Sequence, residues 1–237
     1  MPEAPLTPAV LIPAYQAASS LAGVIDGVRA ALPGVPILVV DDGSTDGTGK
    51  VARAAGVDVI THLRNRGKGD ALRTGFGELA GRCGAVITLD ADGQHEPSEI
   101  PALLARLGAE GADICVGTRM GDTRTMPPVR RLANRAGSAV LGWLAGARLE
   151  DTQSGYRVYR ASALPALMDA PGRGYDFESG VLIRACRLGM LVVFESVTTR
   201  YGDEKSHFRP FRDGFRFLRL VAASMPGMWA RRRGFPA

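Results

Sequence analysis

Ala85-Val86-Ile87-Thr88-Leu89-Asp90-Ala91-Asp92-Gly93-Gln94 is the stretch from which the fold and the chemistry of this chain are read. The apolar run Ala85–Leu89 reads as a buried strand. Two carboxylates follow at i and i+2. Inside a strand they would face opposite sides. At a strand end the chain can turn so that both reach one hard cation, with Gln94 adding a neutral oxygen. Oxygen-only ligands suit Mg²⁺ or Mn²⁺, which keep several waters and bind substrate phosphates. Alone, the segment is no more than a turn, since Asp-Gly pairs after strands usually are. A second acidic strand end, Asp41-Asp42-Gly43-Ser44, gives it weight.

Outward from there, strand and helix signals alternate. Ala9–Ile12 is a strand, and Ser19 or Ser20 can cap a helix running to about Leu32. Ile37–Val40 is a second strand, followed by Ser44-Thr45-Asp46 as capping side chains for a helix through Ala55. Val57–His62, Ala85–Leu89 and Ile114–Gly117 are further strands. A helix from Gly69 to Ala80 and another opening at Pro97-Ser98-Glu99-Ile100 lie between them. Apolar strands separated by helices predict an α/β fold with a mostly parallel sheet covered on both faces. Ligands of such sheets gather at the carboxyl ends of the strands. The residues there are Pro13-Ala14-Tyr15, Asp41-Asp42, Asp90–Gln94 and Thr118-Arg119, all pointing to one site along one rim. In the second half, Val129–Gly146 and Phe177–Leu188 read as helices, Gly155–Arg160 and Leu191–Val197 as strands.

At 237 residues the chain is one large domain or a domain with an appendage. Cys83, Cys115 and Cys186 show neither metal nor redox spacing, which suits a reducing cytoplasm. No apolar run reaches the roughly 18 residues needed to span a bilayer, and Met1–Pro13 shows no signal peptide. The net charge of +5 is unevenly placed. Arginines crowd 119–135 and again 209–233, which predicts an anionic partner: phosphates or an acidic membrane face. Few aromatics interleave them and no nucleic-acid-binding motif appears, so nucleic acid is not expected.

Asp41 and Asp42 could contact a nucleobase or ribose on one side and assist near the metal on the other. A Rossmann dinucleotide site is ruled out, because the turn after the first strand is Pro13-Ala14-Tyr15-Gln16 and not glycine-rich. His95, in a Gln-His-Glu-Pro turn, is expected at the surface, and His62 and His207 have no ligand-spaced partner.

Taken in order, these segments resemble glycosyltransferase family 2, with its nucleotide-diphospho-sugar transferase (GT-A) fold. The segments are Ile12–Tyr15, Val39–Asp46, Asn65–Ala71, Asp90–His95, Gly117–Arg119, Asp151–Arg157 and Phe177-Glu178. Within that family the chain is most similar to the polyprenyl-phosphate sugar transferases, such as dolichyl-phosphate mannose synthase. No single segment is specific; their family order is.

The resemblance implies an inverting, metal-dependent transfer of a hexose from a GDP- or UDP-linked donor to a polyprenyl phosphate. Pro13, Tyr15, Asp41 and Asp42 would line the nucleotide pocket, with Lys68 and Ala91 beside it. Asp90, Asp92 and Gln94 would hold Mg²⁺ or Mn²⁺, which neutralises the departing diphosphate. Arg119, just past a strand end, would grip phosphate bidentately, with Arg131, Arg200 and Lys205 on the phosphate or acceptor side. Asp151 is the general base for a hydroxyl acceptor, or else a turn aspartate that only orients groups. The family often has Asn-Glu after the tyrosine; this chain has Gln16-Ala17, so one acid expected at the nucleotide is missing.

Phe211, Phe215, Leu218, Ala222 and Met225 recur on one helical face, with Arg212, Arg216 and Arg219 on the neighbouring stripe. With Trp229 and Arg231–Arg233 they suit a membrane interface. Residues 1–208 are thus expected to form the transferase domain and 209–237 a basic amphipathic helix and tail. The expected location is the cytoplasm or the cytoplasmic face of a membrane, without a spanning helix. Two rivals stand: a family 2 enzyme acting on a glycan or small-molecule hydroxyl, and a non-catalytic nucleotide-sugar or membrane-binding module.

Overall fold

A computed structural model describes residues 7–118, 128–172, 174 and 176–198, with 128–136 described by their backbone alone. Its first strand, β1 (Pro8–Ala14), is almost wholly buried, and α1 (Leu21–Ala31) follows it. Then come β2 (Ile37–Asp41), α2 (Thr48–Ala54), β3 (Asp58–Thr61), α3 (Lys68–Leu79) and β4 (Ala85–Thr88). A turn of 3₁₀ helix at Pro97–Glu99 leads into α4 (Ile100–Ala109), then β5 (Ile114–Thr118) and α5 (Pro128–Ala145). The chain continues through β6 (Arg157–Arg160), α6 (Leu164–Leu167), α7 (Asp176–Arg187) and β7 (Val192–Ser196).

The described strands form one sheet in the order β3-β2-β1-β4-β6-β5-β7. Alternation along each strand feeds two cores. Leu11, Leu38, Val40, Val86 and Val116 face α3, α5, α6 and α7, while Val10, Ile12, Val39, Ile87 and Leu89 face α1, α2 and α4. Each fully buried Leu or Ile contributes roughly 1.5–3 kcal/mol, which is why both faces must be covered. The predicted α/β sheet with helices on both faces is therefore present.

Strand β6 alone runs antiparallel to its neighbours β4 and β5. The other pairings are parallel, so β1, β2, β4 and β5 all end on one rim, as the sequence predicts. The reversal has a functional consequence: it is the amino end of β6, preceded by Asp151–Tyr156, that meets that rim.

Several local expectations change. Ser20 occupies the cap position of α1 but makes no side-chain cap bond; its hydroxyl donates instead to Ala91 O at 2.7 Å. Helix α2 begins only at Thr48. Asp46 Oδ1 accepts from Thr48 N (3.0 Å), and Ser44 Oγ accepts from Gln16 N (3.0 Å). The short α6 was not anticipated. The predicted helix after Pro210 lies outside the described residues, as does Trp229. Among the described residues no helix is long and apolar enough to cross a membrane.

Candidate active site

At the end of β4 the backbone leaves the sheet, and Asp90 meets Lys68, the first residue of α3. Lys68 Nζ stands 2.6 Å from Asp90 Oδ1 and 3.0 Å from Glu178 Oε2. Glu178 is only 2% exposed. A buried carboxylate is costly unless paired, and Lys68 supplies the pairing for both acids. On the far side of Asp90, His95 Nε2 lies 3.5 Å from Oδ2. Asp92 Oδ1 accepts from Gln94 N at 3.0 Å. With Ser20 holding Ala91 from below, the acidic turn is anchored at its middle residue.

The two acids are driven apart electrostatically. Burial would raise Asp90, but the Lys68 ammonium, with His95, holds it well below the usual carboxylate range. Burial and the Asp90 charge together push Asp92 up. Two carboxylates whose negative charges oppose each other at a strand end are the donor set that a hard divalent cation relieves. Asp90 and Asp92 therefore fit Mg²⁺ or Mn²⁺ chemically, and Gln94 joins them through its backbone N–H to Asp92. Among the described residues no group of three or more His, Cys, Asp or Glu is placed to hold a metal ion by itself.

Strand β6 delivers a second wall. Thr88 Oγ1 donates to Gly155 O at 2.9 Å. A Cβ on Gly155 would stand 2.7 Å from Lys68 Nζ and 2.9 Å from Asp90 Oδ1, so only glycine fits there without moving the ion pair. The preceding turn is rigid. Asp151 is fully buried, and its Oδ1 accepts from Gln153 N and Ser154 N, each at 3.2 Å. Arg157, also fully buried, donates to Ser154 O (2.7 Å), Thr152 O (3.0 Å) and Glu178 O (2.7 Å). It thus ties the Asp151 turn to the first turn of α7, where Glu178 sits.

The end of β2 is built differently. The Asp42 carboxylate accepts from His62 Nδ1 (2.7 Å), Arg66 N (2.9 Å) and Gly67 N (2.7 Å). Asp41 Oδ1 accepts from Ser44 N at 3.0 Å, and its Oδ2 would lie 2.5 Å from a Cβ on Gly49, so this side chain faces α2. Gly43, at φ +74°, is in the left-handed region, and a Cβ there would stand 2.5 Å from the Arg64 backbone. The turn after β2 and the loop after β3 are pressed together at that point. Gln16, itself at φ 53°, accepts through Oε1 from Thr45 N at 2.9 Å and so ties the β1 and β2 loops together.

The structure thus gathers Asp90, Ala91, Asp92, Gln94, Lys68 and Asp151 around the β4 and β6 ends, and Pro13, Tyr15, Asp41 and Asp42 along the β1 and β2 ends. Pro13 is buried within β1, whereas Tyr15 is 50% exposed beyond its end. Arg119, Arg200 and Lys205 lie outside the described residues, and of Arg131 only the backbone, within α5, is described.

One histidine expectation is corrected, and a second histidine gains a partner. His95 is not a surface residue: it is 6% exposed, packed on Tyr156 with ring centroids 5.0 Å apart. His62 is buried against Asp42, because β3 lies beside β2 in the sheet. Glu178 belongs to the segment Phe177-Glu178, which by itself assigns it no role. Its signal was present, since it shares an apolar helical stripe with Val181, Leu182 and Ala185.

Comparison with known proteins meets this geometry. Residues 9–164 match Glycosyl transferase family 2. The chain is similar to an undecaprenyl-phosphate mannosyltransferase of Micrococcus luteus, 34% identical over 199 residues that cover 79% of this chain and 81% of the relative. It is also similar to a polyprenol monophosphomannose synthase of Mycolicibacterium smegmatis, 34% identical, covering 80% and 76% respectively. Among crystal structures, glucosyl-3-phosphoglycerate synthase from Mycobacterium tuberculosis, in complex with Mn²⁺, UDP-glucose and phosphoglyceric acid, superposes with a TM-score of 0.69. The two are 25% identical, and the match covers 98% of this chain and 81% of that one.

Proposed function

On the premise that this chain belongs to glycosyl transferase family 2, we propose that it moves a hexose from a GDP- or UDP-sugar to a polyprenyl phosphate, inverting the anomeric carbon. The observation that carries the donor half is the Asp90–Asp92 turn, with the Lys68 cation 2.6 Å from Asp90, on the rim where the β1, β2 and β4 ends meet. The acceptor half is supported by the relatives in Micrococcus and Mycolicibacterium, whose names specify undecaprenyl phosphate and polyprenol.

Asp90, Asp92 and Gln94 would hold Mg²⁺ or Mn²⁺, and such an ion would supply Lewis-acid neutralisation at a diphosphate. Lys68 adds a fixed positive charge beside it, where the leaving group gains negative charge. Tyr15, half-exposed, offers a stacking face to the base, with Pro13, Asp41 and Asp42 behind it. Arg119, Arg131, Arg200 and Lys205 are assigned to the phosphates of donor and acceptor. A lipid phosphate attacks as an ionised oxygen and needs no proton removed. That agrees with Asp151 being buried with Oδ1 on its own turn. A hydroxyl acceptor would require Asp151 as base. Residues 1–208 form the transferase, and the basic segment 209–237 lies on an acidic membrane face, so the enzyme works peripherally on the cytoplasmic side.

The test is nucleoside diphosphate release with Mn²⁺, a panel of UDP- and GDP-sugars, and polyprenyl phosphate present or absent. Release should require the lipid and fall by on the order of 10²–10³-fold or more in Asp92→Ala. Lipid-independent hydrolysis alone would keep the transferase and discard this acceptor. Donor binding without any turnover would leave only a binding module.

A further inference from the structure

We infer that His62 is a positioning residue of the donor site, acting through Asp42 on the turn that places Lys68. The inference rests on the functional reading above. His62 is buried at the end of β3, with both ring nitrogens engaged. Nδ1 donates to Asp42 Oδ1 at 2.7 Å, since a carboxylate there can only accept, and Nε2 lies 3.0 Å from Thr74 Oγ1. Thr74 stands on α3, where its hydroxyl lies 3.0 Å from Asp70 O as well, so its one proton is shared between that carbonyl and Nε2. The imidazole therefore spans from the end of β2 to the first turns of α3.

The same Asp42 carboxylate grips the start of α3 by its backbone. Arg66 N and Gly67 N both donate to it, at 2.9 Å and 2.7 Å, and the very next residue is Lys68. Gly67 leads into the helix at φ 97°, so the direction in which Lys68 leaves is set by this turn. One carboxylate thus links the nucleotide end of the site to the cation 2.6 Å from Asp90. His62 is the side chain that fixes the rotamer of that carboxylate. Without it, Asp42 keeps two backbone donors but loses its only side-chain partner among the described contacts, and the turn before Lys68 loosens.

The experiment uses the full chain and titrates UDP and GDP, with and without Mn²⁺, into wild type, His62→Leu, His62→Asn and Thr74→Val. His62→Leu should weaken nucleoside diphosphate binding by about tenfold. In turnover, its donor KM should rise by a similar factor, with kcat within about twofold. His62→Asn, whose amide can still donate to Asp42, should recover most of the loss. Thr74→Val keeps the question open to test if His62→Leu does not fold, and should show a smaller loss in the same direction. Amide exchange at Arg66 and Gly67 should quicken in His62→Leu. Unchanged affinity in His62→Leu, or faster exchange without weaker binding, would overturn the inference. So would a fall in kcat at unchanged KM. If wild type binds neither UDP nor GDP, the functional reading itself fails and takes this inference with it.

Discussion

The two acidic strand ends look alike in sequence and are opposite in construction. After β2, Asp41 and Asp42 turn inward: Asp42 is 2% exposed, and its carboxylate takes donors from His62, Arg66 N and Gly67 N. After β4, Asp90 and Asp92 keep an open side: the Asp90 side chain is 28% exposed, and its nearest partner is an ammonium group. Asp42 is held by two backbone donors and His62, whereas Asp90 is paired with the Lys68 ammonium and keeps an exposed side. Backbone amides move only with their turn, whereas an ammonium at the end of a long side chain can shift and share Asp90 with a second cation. An acid saturated by donors of its own turn can only build a site, whereas one with an open side is available to a ligand.

The sharpest way to break this contrast is to delete one acid from each pair. Asp42→Ala leaves His62 Nδ1 and two backbone N–H groups without their acceptor. It should cost roughly 3 kcal/mol in urea denaturation. Asp92→Ala removes an acid whose ionised form burial and Asp90 already oppose, and should change stability by less than about 1 kcal/mol. Equal losses in the two variants would end the distinction.

Gly155→Ala probes the working pair without touching either acid. Its Cβ would press on Lys68 Nζ and on both Asp90 oxygens, the farther of these at 3.0 Å. These are ends of side chains, so the fold should yield and the midpoint of denaturation should stay near wild type. Turnover should fall about tenfold if, as proposed, the displaced groups are those that meet the diphosphate. A destabilised protein with normal turnover would show the wall to be structural only.

The smallest expected effect is electrostatic. Asp92 has its folded pKa above the ordinary 3.8, so its share of stability is present below that value and is lost as pH rises through the folded one. Asp90 is depressed, so its share is present above 3.8 and is lost as pH falls through its folded value. Without divalent metal, Asp92→Asn should therefore melt at or above wild type at pH 7, by no more than about 2–4 °C. The gain should shrink as pH drops towards the carboxylate range, where wild-type Asp92 takes up its proton. Added Mn²⁺ should reverse the order, stabilising wild type by mass action and the variant little. A variant that gains as much from Mn²⁺ as wild type would remove Asp92 from the ligand set.

Legibility differed in the same way between elements. The strand Ala85–Leu89 and the acids beyond it could be read directly, because burial on both faces demands an apolar run and the rim demands polarity at its end. Glu178 could have been read from an acid within an apolar helical stripe. His62 could not, because nothing in Thr61-His62-Leu63 reveals that β3 lies against β2 with its end beside Asp42. His95 misled for a related reason: a Gln-His-Glu-Pro turn is ordinarily exposed, and here the Tyr156 ring on β6's approach packs against it.

From its order of residues alone, this chain determined the alternating strands and helices, the sheet covered on both faces, the shared polar rim and the family. Those features follow from local periodicity and from which residues stand at strand ends. Only the tertiary structure decided that β6 runs backwards between β4 and β5, and that Gly155 closes on Lys68 and Asp90. It also decided that Lys68 bridges Asp90 to a buried glutamate, and that one acidic pair is locked while the other stays open. These depend on strand order and on contacts between residues up to 110 positions apart, such as Lys68 and Glu178. Such long-range pairings are set by the packing of whole layers, and no local pattern encodes them.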